Sequence, residues 1–171
     1  MSDRADNSTS KNSAALTWLW LSAVVIVADQ ITKYLASTYL HLHDPMAIVP
    51  GFNLTLVHNT GVAFSFMSDG SDWTRWFLVT LAVAVSIAIV IWLTRLPAGQ
   101  TLASAALALI LGGAAGNVWD RIQYGYVVDF ADVYYGSWHW PAFNVADSAI
   151  TFGAVLLIID TLRPPHRERS T

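Results

Sequence analysis

Cysteine is absent from this chain of 171 residues. That excludes a disulfide framework, a thiolate nucleophile and any cysteine-bound zinc or iron–sulfur centre. Charge is scarce as well: Asp, Glu, Lys and Arg make up 12% of the residues, about half their share in a soluble globular domain. Nine Lys and Arg against twelve Asp and Glu leave a net charge of −3. No basic stripe is present to neutralise a phosphate backbone, so nucleic acid is excluded as a partner. What abounds is apolar surface, at 54% hydrophobic residues and a mean hydropathy of +0.46. That balance excludes disorder and argues against an ordinary soluble enzyme. At 18.7 kDa the chain is expected to form one integral membrane domain over residues 1–171.

The apolar residues gather in four segments, predicted as membrane-spanning helices at about 16–36, 74–94, 101–120 and 144–162. The clearest contains Trp76–Leu93, eighteen residues without a charge, long enough to cross about 30 Å of hydrocarbon. Extracytoplasmic loops then fall at about 37–73 and 121–143, with polar tails at 1–13 and 163–171. An even number of spans puts both termini on one side. Arg4, Lys11, Arg95, Arg163, Arg167 and Arg169 lie on that side, against Arg75 and Arg121 on the other, which makes the termini cytoplasmic. The first apolar stretch lacks a small-x-small cleavage site and has a weak basic flank, so a retained helix is expected.

In the first outward loop, Phe52-Asn53-Leu54-Thr55-Leu56 alternates with period two and reads as a half-buried strand. Val62, Phe64 and Phe66 alternate again after a tight turn at Gly61. The second outward loop carries Tyr124, Tyr126, Tyr134, Tyr135, Trp138 and Trp140, rings that favour the headgroup layer. The expected class is therefore an all-α polytopic membrane protein, with four transmembrane helices, a small extracytoplasmic β element and an interfacial periplasmic loop or helix.

Ionisable groups within or beside spans are costly and mark functional candidates. Asp29 and Lys33 are spaced i, i+4 with the acid first, the favourable order for a pair on one helix face. They read either as a neutralised pair pinning the first helix or as a substrate contact. Gly112 and Gly116 form a small-xxx-small face for close helix approach. Asn117 and Arg121 then share a face at the membrane edge, fit to hold a peptide carbonyl or lipid phosphate; the alternative is an Arg121 reaching headgroups with Asp120 as partner. Asp129 sits in the apolar run Val127-Val128-Asp129-Phe130, and Asp147 lies three residues after Asn144 at the start of the fourth helix. Alone, Asp147 is explained as an acid in the first turn with Asn144 as N-cap, and Asp129 as a loop acid. Together they are two carboxylates at one membrane depth. Such a pair shares a proton, so that one member serves as base and the other as acid in hydrolysing an amide. Neither a metal nor a cofactor is required. His41, His43 and His58 lack a partner to complete a zinc site, and His139 is poorly placed to form a triad with Ser148 and Asp147.

The blocks Asp29–Lys33, Asn59–Phe64, Gly112–Arg121, Val127–Phe130 and Phe143–Ser148, in that order, resemble the signature of the bacterial lipoprotein signal peptidases, signal peptidase II. The resemblance covers Trp18 to Leu162. It implies an aspartyl endopeptidase of the inner membrane that removes signal peptides from prolipoproteins, cutting before a diacylglyceryl-modified cysteine, with its active site at the periplasmic face. By this matching Asp129 and Asp147 are the catalytic pair. Asn59, Asn117, Arg121 and Asn144 would position the substrate backbone and lipid. Asp29, Lys33, Gly61, Gly116 and Asp120 would support the site. The resemblance further implies a periplasmic β-sheet cradle after the first span, a periplasmic helix over the site in the loop that follows, membrane lipids and lipidated precursors as partners, and a monomer. Val62 departs from an alanine common in the family and bears on substrate preference, while Asp160 is left as an interface residue. The residues alone also allow an ion-coupled carrier with Asp29, Asp129 and Asp147 as relay, or a non-enzymatic helper.

Overall fold

The computed structural model describes residues 16–61, 72–97 and 99–162. The four apolar runs become helices because hydrocarbon offers no partner for backbone polar groups, and a helix satisfies its own. They are α1 (Leu19–Tyr39), α2 (Asp72–Arg95), α3 (Thr101–Tyr124) and α4 (Val145–Leu162), each long and apolar enough to span a bilayer. At 24 residues, α2 and α3 each rise about 36 Å. Apolar on all sides, α2 buries Leu78, Ile89 and Leu93 against its neighbours and leaves Leu81, Val85, Ile87 and Ile91 exposed to the bilayer.

Two spans depart from the sequence expectation by three residues or more. The first span runs Leu19–Tyr39 rather than 16–36, and the third continues four residues past 120 to Tyr124. Polar Asp120, Arg121 and Gln123 suit the outer end of a span well enough to stay helical. The stop comes at Gly125, whose φ of +85° places it in the left-handed region open to glycine.

α3 packs against each of the other three helices, and its small residues make this possible. A Cβ on Gly112 would lie 2.8 Å from the carbonyl oxygen of Ser22, and one on Gly116 would lie 2.6 Å from Asp29 Oδ2. The expected small-xxx-small face thus meets α1, and Ser22 Oγ donates to the Ala108 carbonyl across the same seam at 2.7 Å. On another face Gly113 meets the backbone of Ala146 in α4.

The outer end of the bundle carries an antiparallel sheet in the order β1 (Met46–Val49), β2 (Phe52–Asn59), β3 (Val127–Tyr135), β4 (Trp138–His139). β2 and β3 pair Phe52 with Val133, Val57 with Asp129 and Asn59 with Val127, with an irregularity between Leu54 and Val57. The two outward loops are therefore one sheet. In the second loop the β-branched and aromatic residues of 127–135 take the open edge of β2. The predicted strand at 52–56 forms, and beside Leu56, which packs on Ala36 and Val128, its buried residues are the polar Asn53 and Thr55. Both donate to Asp132 Oδ2, at 3.0 and 3.3 Å, and Leu54 faces an apolar cleft beside α1. Val62, Phe64 and Phe66 lie outside the described residues.

Candidate active site

Asp129 and Asp147 come from different elements and are joined by Asn144. Val145 opens α4 and Asn144 caps it: its Oδ1 accepts from the Asp147 backbone N–H at 2.9 Å, while its own N–H donates to Asp147 Oδ2 at 3.3 Å. That reciprocal exchange is a capping box, the local role already expected for Asp147. The same Asn144 reaches β3, where Nδ2 donates to Asp129 Oδ1 at 2.7 Å and to the Val128 carbonyl at 3.2 Å. Asp129, 1% exposed, is no loop acid turned to water. Asp147 is half-buried.

Three amides have orientations dictated by donors that cannot accept. Lys33 Nζ donates to Asn117 Oδ1 at 2.9 Å, so Asn117 must turn its Nδ2 to Asp147 Oδ1, 2.8 Å away. The Gly61 N–H donates to Asn59 Oδ1 at 2.9 Å, so Asn59 Nδ2 must face Asp129 Oδ2, also at 2.9 Å. Asn144 Oδ1 is taken by the Asp147 N–H, leaving Nδ2 for Asp129. Each carboxylate therefore receives a rigidly aimed amide. Gly61, at φ +103°, permits the turn that sets Asn59.

Behind these amides sits a buried ionic cluster. Lys33 Nζ lies 2.8 Å from Asp29 Oδ2 and 2.9 Å from Asp120 Oδ2, and all three side chains are at most 3% exposed. Asp29 Oδ1 accepts from the Ala146 N–H at 2.9 Å, tying α1 to the first turn of α4. Asp120 Oδ2 accepts from the Val128 N–H at 3.1 Å, tying α3 to β3. Asp120 thus partners Lys33, not Arg121 as one sequence reading had it, because its helical position turns it toward α1. Gln30, which sequence reasoning missed, donates to Asp120 Oδ1 at 2.9 Å and Asp29 Oδ2 at 3.2 Å. A cavity of about 330 Å³ borders this cluster between Gln30, Tyr34, Tyr124 and Tyr126, and does not reach either Asp129 or Asp147.

Burial, reinforced by the negative charge of Asp147, raises the Asp129 pKa to about 7, against the opposing hydrogen bonds from Asn59 and Asn144 and the charge of Lys33. A carboxyl so placed holds its proton near neutrality beside a partner whose two oxygens are both occupied by N–H donors. Arg121 lies within electrostatic reach of Asp147 and Asp129, and donates only to the Asn117 carbonyl at 3.5 Å among the described residues. Its remaining donors point to no described protein acceptor.

Other sequence candidates go elsewhere. His139 Nδ1 is 2.8 Å from Asp132 Oδ1, and Ser148 Oγ donates to the Asn144 carbonyl, so the two form no triad. His58 stacks on Tyr126 at 3.9 Å. Arg75, previously used only to set orientation, donates from Nη2 to the Ile122 carbonyl at 2.8 Å and ties α2 to the outer end of α3. Val62 lies outside the described residues, and Asp160 is half-buried on α4.

A family model for signal peptidase (SPase) II matches residues 21–163. The chain belongs to the signal peptidase II family. Among curated relatives, the lipoprotein signal peptidase of Hydrogenovibrio crunogenus is 52% identical over 161 residues, covering 93% of this chain and 94% of the relative. That of Acinetobacter baumannii is 56% identical over 146 residues, covering 85% and 83%. Two solved structures of a bacterial membrane enzyme, obtained by the in meso method at 1.9 and 2.3 Å resolution, match with TM-scores of 0.77 and 0.78 and identities of 31% and 30%. They cover 86% and 91% of this chain, and 93% of each matched chain. The peptidase is thus a multi-pass membrane aspartic peptidase, which sets aside the carrier and helper readings.

Proposed function

We propose that this peptidase removes signal peptides from diacylglyceryl-modified prolipoproteins, cleaving before the lipid-modified cysteine, with Asp129 and Asp147 as its catalytic pair. The observation that carries the reading is the shared hydrogen-bond frame of Asn59, Asn117 and Asn144, which aims N–H donors at both carboxylates and at nothing else that could react. Asp147, half-buried and held as an acceptor, takes a proton from water as its oxygen attacks the scissile carbonyl carbon. Asp129 donates its proton to the carbonyl oxygen, giving a gem-diol. On collapse Asp129 recovers a proton from a diol hydroxyl, Asp147 passes its proton to the departing amine, and the C–N bond breaks.

In this reading Asn59, Asn117 and Asn144 position the dyad rather than bind substrate, because their polar atoms are already engaged within the protein. Arg121 is the substrate contact, its guanidinium suited to a peptide or ester carbonyl. Asp29, Lys33, Gly61, Gly116 and Asp120 hold the frame. Arg75, Arg121, the sheet and both aspartates lie at one end of the bundle and Arg95 at the other, which supports cytoplasmic termini and a periplasmic site in the inner membrane. A monomer carries every residue invoked. The test is a gel-shift cleavage assay in micelles comparing diacylglyceryl-modified and unmodified forms of one precursor. Cleavage of the lipidated form alone is expected; equal cleavage of both would remove lipid recognition from the proposal.

A further inference from the structure

Between the outer end of α1 and the sheet lies a cleft of about 270 Å³, lined chiefly by Leu35, Ala36, Tyr39, Met46, Leu54 and Phe130. Its wall offers water almost nothing. The Thr32 hydroxyl is spent on the Ala28 and Asp29 carbonyls, each at 2.9 Å, and a water needs several polar partners to be stable in such a place. The cleft is also continuous with the bilayer-facing surface of α1. Trp20, Val24, Val27, Ile31 and Leu35 are 45–59% exposed and recur at helical spacing as a single stripe. That stripe runs into the cleft at Leu35 and ends at Tyr39, 75% exposed on the last turn, where an aromatic ring with a hydroxyl suits the headgroup layer.

We propose that this cleft is a binding site for one acyl chain of an outer-leaflet phospholipid, whose ester end lies at Tyr39 and whose methylenes pass between α1 and the sheet. The stripe supplies the route and the depth, and the apolar lining supplies the affinity. Phe130 directly follows Asp129, so a chain packed here supports the strand that carries one member of the dyad. It also completes the apolar side of this strand, where Leu56 is buried against Ala36 and Val128 while Leu54, two residues before it, is only half-buried on the cleft.

The test uses the full chain, without substrate, in nanodiscs containing a phospholipid with a diazirine early in one acyl chain. After irradiation, adducts are mapped by mass spectrometry. Adducts on Leu54 and Phe130 are expected beside those on the exposed α2 residues Val85, Ile87 and Ile91. In Leu54→Trp, which fills the cleft, the Phe130 adduct should be lost and the α2 adducts unchanged. Labelling of α2 without labelling of Leu54 or Phe130 in the wild-type chain overturns the proposal, as does a cross-link at these positions to a second copy. Loss of the wild-type adducts on adding a diacylglyceryl-modified precursor would assign the cleft to substrate instead, which also contradicts it.

Discussion

Replacing Lys33 by Met keeps the length of the side chain and removes the cation that, among the described residues, alone contacts two buried carboxylates. Asp29 and Asp120 are 0% and 1% exposed, and each would retain a charge with no counter-ion in a poorly polarisable seam. Removing one partner of a buried ion pair costs about 3–5 kcal/mol, and Lys33 serves two acids and the Asn117 amide at 2.8–2.9 Å, so the upper half of that range is expected. The loss should be greatly reduced when Asp29→Asn and Asp120→Asn accompany Lys33→Met, since no uncompensated charge then remains. Reversible denaturant unfolding in mixed micelles, run on wild type, single and triple variants, measures both. The triple variant should regain stability without regaining full turnover, because Asn117 Oδ1 loses the Lys33 donor at 2.9 Å and only the longer contact from Asn144 Nδ2, at 3.3 Å, still holds its Nδ2 toward Asp147. A single-variant loss under about 1 kcal/mol, the range of exposed ion pairs, would refute the reasoning, and so would a triple variant less stable than the single.

Two further predictions concern protons. Because the Asp129 pKa is raised to about 7, kcat/KM should fall as pH rises through that value and the acid loses its proton; a rate flat from pH 5 to 9 contradicts the assignment. The same raised pKa contributes stability that is present below the ordinary carboxylate value and lost as pH rises through about 7. Asp132 behaves oppositely. Burial alone would raise its pKa, but hydrogen bonds from His139, Asn53 and Thr55 prevail and hold it below the usual value of 3.8. Its contribution is present above that value and lost as pH falls through the folded pKa, releasing β4 from β3. Protection of the Trp140 amide, which donates to the Val133 carbonyl at 2.8 Å, measured against its intrinsic exchange rate at each pH, should fall in acid and, at neutral pH, in Asp132→Asn; unchanged protection would show that the clip does not fasten the hairpin.

The spans were legible because a long uncharged run has one use, and the α3 glycines because small residues four apart mark a close helix contact. Asn144 and Asp147 could be read locally as a capping pair. What the sequence could not display were contacts whose sequence separation is large: Gln30 to Asp120, Asn59 to Asp129, Ala146 to Asp29. These depend on which turn of α1 meets which turn of α3, and on strand register. The strand at 52–59 shows a different limit. Period two was visible, but hydrophobicity could not show that both faces are covered: Asn53 and Thr55 turn inward to Asp132, while Leu56 packs on Ala36 and Val128 and Leu54 lines an apolar cleft. The Asp132–His139 contact was missed for the same reason, since an acid and a histidine seven apart in an aromatic loop carry no local signal.

The central claim is that Asp129 and Asp147 act together on the scissile bond. Its most direct test is single-turnover cleavage of a diacylglyceryl-modified precursor by Asp129→Asn and Asp147→Asn, with unfolding measured on the same samples. Each variant is expected to stay folded and inserted while its rate falls by at least about 10²–10⁴-fold, the contribution of a positioned acid or base. Near-wild-type turnover by either folded variant would contradict the account.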